Sequence, residues 1–143
     1  VNAIYDSENY ADAFERDLVE ADREILISSP DLTAEKVERF VRLVKCRQEA
    51  GVQVTVSTEV PENNIFGNAE FLHSLIRRMK EDGICVRTAE ETPRCFAVID
   101  RSLVWHGGVN LLGKEDAWED NLIRVRDVKA AQELMEMGLE AEN

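Results

Sequence analysis

At 143 residues, 44% hydrophobic and 32% charged, the chain has the size and composition of one folded domain, which argues against disorder or low complexity. Its 17 basic and 29 acidic residues leave a net charge of −12, opposite in sign to the field of a generic nucleic-acid binder, and no apolar run approaches the ~18 residues of a membrane span. Three cysteines without a C-x-x-C pair, together with two histidines, argue against a structural zinc site and fit reduced thiols in the cytoplasm.

The start, Val1-Asn2-Ala3-Ile4, has neither the basic region nor the apolar core of a signal peptide, and Val in place of Met suggests a domain cut from a longer protein. Tyr10, Phe14 and Leu18 at i, i+4, i+8 predict a helix over 8–21 with Ser7 as its N-cap. Glu24-Ile25-Leu26-Ile27-Ser28 reads as a short buried strand closed by Ser29-Pro30. Thr33 caps a predicted helix to Ala50, with Val37, Phe40, Val41 and Val44 inward and Gly51 as its stop. The β-branched run 52–56 predicts a strand, and 59–67 a loop rich in Pro, Asn and Glu.

Asn68 caps the next predicted helix, whose apolar stripe is Leu72, Leu75, Ile76 and Met79 and whose end is Gly83. A strand over 84–87, two hairpin strands, an acidic loop over 114–120, a strand over 122–125 and a helix over 128–140 complete the chain. In that last helix Ala131, Leu134 and Met135 point inward. Early strands alternating with helices imply right-handed crossovers and parallel pairing, whereas the adjacent later strands imply antiparallel pairing. The expected fold is α/β, a mixed sheet sandwiched between helices, with 1–143 as a single domain.

The segment Pro93-Arg94-Cys95-Phe96-Ala97-Val98-Ile99-Asp100, followed by Leu103-Val104-Trp105-His106-Gly107-Gly108-Val109-Asn110, reads as a hairpin ending in a Gly-Gly turn and an Asn. It resembles the signature region of the phospholipase D-like phosphodiesterase superfamily. There a His, a Lys two residues later and an Asp five residues after the Lys precede a strand, a small-residue turn and an Asn. Asp100, Gly107-Gly108 and Asn110 match that pattern, while Pro93 stands at the His position and Cys95 at the Lys position. The order of elements also resembles one lobe of that fold, from about 5 to 139.

The resemblance implies a chemistry that this chain lacks the parts for. Such lobes attack phosphorus with a His, use a second His from another lobe or subunit as general acid, and hold the phosphate with Lys. Pro93 has no nucleophilic atom and Cys95 no fixed charge, so the expectation is a non-enzymatic domain without cofactor or metal. It is of the kind appended to bacterial helicases and ATPases that process nucleic acids, where it aids substrate contact or assembly. DNA or RNA is then reached through the parent protein, a homodimer is the assembly implied by lobe pairing, and no membrane is involved. A protein-interaction or dimerisation module without nucleic-acid contact is the alternative, and an active phosphodiesterase the outlying one.

Read as residues alone, the same positions have plain structural roles. Asp100 in the turn Ile99-Asp100-Arg101-Ser102 caps nearby N–H groups, and Asn110 holds the turn after the glycines, whose backbones tolerate positive φ. Glu119 or Asp120 stands near a family position for an acid that orients the His. His106 with Cys95 or Ser102 lacks a third partner for nucleophilic catalysis. Arg94 and Arg101 flank the signature as candidate phosphate ligands, although strand alternation turns Arg94 away from the face shared by Pro93 and Cys95. Lys36, Arg39, Arg42 and Arg47 on the second helix, and Arg77, Arg78 and Lys80 on the third, are the other basic clusters.

Overall fold

The structure is a computed structural model that describes residues 3–65, 67–91, 93–114 and 120–139. Among these residues seven strands form one mixed sheet in the order β1-β7-β6-β5-β2-β3-β4. The strands are β1 (Ala3–Asp6), β2 (Glu24–Ser28), β3 (Gln53–Glu59), β4 (Cys85–Ala89), β5 (Phe96–Ile99), β6 (Leu103–Gly107) and β7 (Asn121–Arg126). The helices are α1 (Ala11–Val19), α2 (Ala34–Glu49), α3 (Ala69–Glu81) and α4 (Val128–Leu139).

The expected fold class is the one observed. β2, β3 and β4 run parallel, while β5 is antiparallel to β2 and β6, β7 and β1 continue antiparallel. The central strand β2 is buried on both faces, which is why it reads as an unbroken apolar run. Ile25 and Ile27 join Phe14, Leu18, Val37, Phe40, Leu75 and Met79 in the larger core, on the side of α1, α2 and α3. Leu26 joins Phe96, Val98, Val104, Ala131, Leu134 and Met135 in the smaller core, under α4. No helix among the described residues is long and apolar enough to cross a membrane.

Local signals account for most boundaries. The Thr33 side chain accepts from the Lys36 N–H and the Asn68 side chain from the Phe71 N–H, so α2 and α3 begin at their N-caps. Gly51 and Gly83 follow α2 and α3 with φ of 100° and 83°, where a Cβ would be strained.

Two expectations are corrected. α1 begins at Ala11 rather than at residue 8, and Ser7 does not cap it. Instead Asp6 and Asn9 close a local turn, in which the Asp6 carboxylate accepts from the Glu8 and Asn9 N–H groups and Asn9 Oδ1 accepts from the Asp6 N–H. Upstream of it lies β1, four residues paired only with β7, too short to show alternation in sequence. The strands β3, β4 and β7 also extend beyond the predicted segments. The last helix runs to Leu139, with residue 140 outside the described set.

Candidate functional site

The signature hairpin has two ends, and the sheet register separates their residues. Phe96 sits opposite Ser28 at the end of β2, so Cys95 lies where the parallel strands finish. This is the edge of an open α/β sheet where ligands commonly bind. At the other end, the Asp100 N–H donates to the Glu24 carbonyl at the start of β2. Of the residues singled out in the sequence, Cys95, Gly107, Gly108 and Asn110 share the first end, while Asp100 and Arg101 share the second.

Four loops converge at the first end. Asn110 Oδ1 accepts from the Asp31 N–H at 3.3 Å and lies 3.8 Å from Cys95 Sγ. The Asp31 carboxylate accepts from Asn64 Nδ2 at 3.0 Å through one oxygen and from the Lys114 N–H at 3.2 Å through the other. Ser29 Oγ donates to the Asp31 carbonyl and accepts from the Leu112 N–H. Ser28 Oγ donates to the Arg94 carbonyl, and Thr58 Oγ1 to the Pro30 carbonyl. The segments following β2, β3 and β6 and the one entering β5 are thus stitched together by short polar side chains, with a carboxylate at the hub.

Lys36 brings one cation to this end. Its Nζ donates to Tyr10 Oη at 3.3 Å and to the Asn110 carbonyl at 3.4 Å. It borders a groove of about 170 Å³ between α1 and α2, lined by Tyr10, Phe14, Leu18, Phe40, Leu43 and Leu111. Three other basic residues of α2 and α3 are engaged elsewhere. Arg39 is paired with Glu15, whose carboxyl that hydrogen bond holds below its ordinary pKa. Arg78 is paired with Glu38 and Asp82, and Arg47 donates to the Ala21 carbonyl.

Arg94 and Arg101 are not brought together. Arg94 is exposed beside Cys95, whereas Arg101 is paired with Glu24 at the opposite end of β5. Asp100 accepts from the N–H groups of Asp22, Arg23 and Glu24 at 2.7–3.2 Å, the capping role its turn position suggested. His106 pairs across the ladder with Phe96 and Ile123, in register with residues of the α4 side. Ser102 is at the far end of β6, where its Oγ accepts from Arg126. Neither Ser102 nor Cys95 forms a hydrogen bond to His106 among those observed. Pro93 is half-buried on the segment entering β5.

Neither turn glycine has positive φ; Gly107 is required by space against backbone, and Gly108 is crowded by a side chain. A Cβ on Gly107 would lie 1.9 Å from the Asn121 carbonyl oxygen, and one on Gly108 would lie 2.7 Å from Asp120 Oδ1. Asp120 therefore packs over the turn, while Glu119 is outside the described residues. Sequence reading missed Ser28, Ser29, Asp31 and Asn64. Their common signal was a place at the end of β2 or in the segments that follow β2 and β3, at the carboxyl edge of the sheet.

This architecture has solved counterparts. Nuc from Salmonella typhimurium, a phospholipase D family member, superposes with a TM-score of 0.76 at 17% identity, covering 99% of this chain and 93% of that one. The chain has the phospholipase D-like fold. NucT from Helicobacter pylori gives a TM-score of 0.71 at 16% identity, with 99% and 96% covered. TrmBL2, an archaeal chromatin protein with a novel mode of DNA binding, gives 0.67 at 15% identity, with 99% of this phospholipase D-like chain and 53% of TrmBL2 covered. No family profile and no curated protein matches the chain by sequence.

Proposed function

We propose that this chain is a non-catalytic phospholipase D-like module of a longer, helicase-associated protein that processes nucleic acids in the cytoplasm, and that its role there is assembly. The observation that carries the reading is the chemistry at the carboxyl edge of the sheet. Where the resemblance calls for a nucleophilic His and a phosphate-holding Lys, the chain has Pro93 and Cys95. Proline cannot attack phosphorus, and a thiol supplies no fixed positive charge for a developing oxyanion. In the same place the Asp31 carboxylate ties three loops together, bringing a negative charge where a phosphate would need a positive one.

The fold counterparts supply the nucleic-acid context by analogy. TrmBL2 binds DNA by its own mode, and its likeness to this chain supports a place among DNA or RNA transactions. The charge of −12 favours assembly over direct strand contact, because phosphate binding draws its affinity from cations that release counterions. Arg94 and Arg101, the two candidate phosphate ligands, sit at opposite ends of β5, so they do not form one clamp.

Fluorescence anisotropy of labelled single- and double-stranded DNA at low and physiological salt tests this role. The isolated chain is expected to show no saturable binding at either salt. Saturable binding that collapses with salt would overturn the assembly role and restore direct strand contact.

A further inference from the structure

We infer that the groove between α1 and α2 is a binding site for a neutral small molecule of the phenol class, one aromatic ring carrying a hydroxyl group. The site goes beyond the assembly role proposed above and does not depend on it.

Two helical stripes make the groove. Tyr10, Phe14 and Leu18 recur at i, i+4, i+8 along α1, and Phe40 and Leu43 stand three apart on α2. Leu111, on the segment after β6, also lines it. Phe14, Leu18, Phe40 and Leu111 are buried and Leu43 is half-buried, so the walls are core side chains held by packing. The helices nevertheless leave about 170 Å³ of space between these residues. Two polar bridges span the same gap. Arg39 of α2 is paired with Glu15 of α1, and Lys36 of α2 donates to Tyr10 Oη at 3.3 Å, at the start of α1. A slot already formed and tied across loses little freedom when a ligand enters it.

Size and wall chemistry select the ring. An apolar cavity of about 150 Å³ holds one benzene ring. Tyr10, Phe14 and Phe40 put three aromatic side chains on the walls, and the Tyr10 and Phe14 rings are tilted against each other with centroids 6.1 Å apart. A further ring gains edge-to-face contacts there that an aliphatic group does not.

Charge selects a neutral ligand. The charged residues lining the groove are Glu15, Glu35, Lys36 and Arg39, two of each sign. Arg39 holds Glu15 through two nitrogens, and Lys36 Nζ is bonded to Tyr10 Oη and to the Asn110 carbonyl. An ionic ligand meets no net opposing charge to offset the loss of its hydration. Exposed Glu35, in the first turn of α2, is an acceptor for a hydroxyl group. Leu111 follows Asn110 in the chain, so the ligand sits one residue from the stitched loops of the carboxyl edge.

The test titrates phenol into the whole chain carrying isotope-labelled leucine methyl groups and follows their shifts by NMR. Saturable shifts with a Kd on the order of 1 mM or tighter are expected, concentrated at Leu18, Leu43 and Leu111. Benzoate, benzylammonium and cyclohexanol are expected to bind about tenfold more weakly or worse. Leu43→Phe, which fills the slot, is expected to weaken phenol by about tenfold or more, while Ile123→Ser, at an exposed position of β7, leaves it unchanged.

Absence of saturation, or equal binding of cyclohexanol or of either ion, would overturn the inference. So would shifts centred on Leu26 and Leu134 of the smaller core, a location that the wild-type spectrum reports even where Leu43→Phe does not fold. DNA binding or phosphodiester cleavage would overturn the proposed function and leave this site standing.

Discussion

The Asp100 carboxylate accepts from three successive backbone N–H groups of the segment entering β2, and it does so from a turn whose two central residues both have positive φ. Asp tolerates that conformation better than most residues; Arg101, with φ of 58°, pays the ordinary side-chain penalty. Asp100→Ala should therefore cost about 2 kcal/mol in urea unfolding, since three donors lose a charged acceptor at once. Arg101→Gly should stabilise the same transition by up to about 1 kcal/mol, because Gly suits a two-residue hairpin turn of this kind. That Asp100 caps something was legible from its turn. What it caps was not, because Asp22, Arg23 and Glu24 lie 76–78 residues away in sequence. Distance in sequence also hid Asp31, whose position after a strand was visible but whose bonds to Asn64 and Lys114, 33 and 83 residues away, depend on tertiary closure.

At the scale of elements, α1 is held to the antiparallel half of the sheet by one buried carboxylate. Asp17, 6% exposed, accepts from Trp105 Nε1 at 2.7 Å and from two nitrogens of Arg124 at 2.7 and 2.9 Å. That pairing raises the Arg124 pKa above its ordinary value. Phe14 packs edge-on against Trp105, and the Tyr5 ring of β1 lies tilted against it with centroids 5.0 Å apart. Asp17→Ala leaves a partly buried guanidinium and a buried indole N–H without their acceptor, an expected loss of about 3–5 kcal/mol by urea unfolding. The i, i+4 pattern of Phe14 and Leu18 announced α1, while nothing in that pattern marked Asp17. Its burial became clear only when β6 and β7 were placed beside it. β1 was unreadable for a related reason: an edge strand of four residues owes its form to β7 and has no long pattern of its own.

Across the whole molecule, a charge of −12 in a small domain means self-repulsion, which salt screens. The thermal midpoint should rise as sodium chloride is added, and a flat or falling response would show that local ion pairs dominate instead. Glu15 gives the opposite, local effect. Its folded pKa is lowered by Arg39, so its contribution is present above the unfolded glutamate value of about 4.3 and is lost as pH falls through the lower folded value. The stability difference between the wild-type chain and Glu15→Gln should shrink over that acid window and remain constant above it.

The mixed sheet between helices was legible because alternation of strands and helices, and then adjacent strands, dictates parallel and antiparallel halves. The chemistry at its carboxyl edge is the central matter, and hydrolysis of bis(p-nitrophenyl) phosphate in the presence of a chelator tests it most directly. On the proposed reading the expected result is no release of nitrophenol above the buffer rate, because Pro93 carries no nucleophilic atom and Cys95 no fixed positive charge at the positions where the resemblance calls for His and Lys. Saturable, chelator-resistant turnover that His106→Ala abolishes would contradict a non-catalytic module and place an active centre on this hairpin.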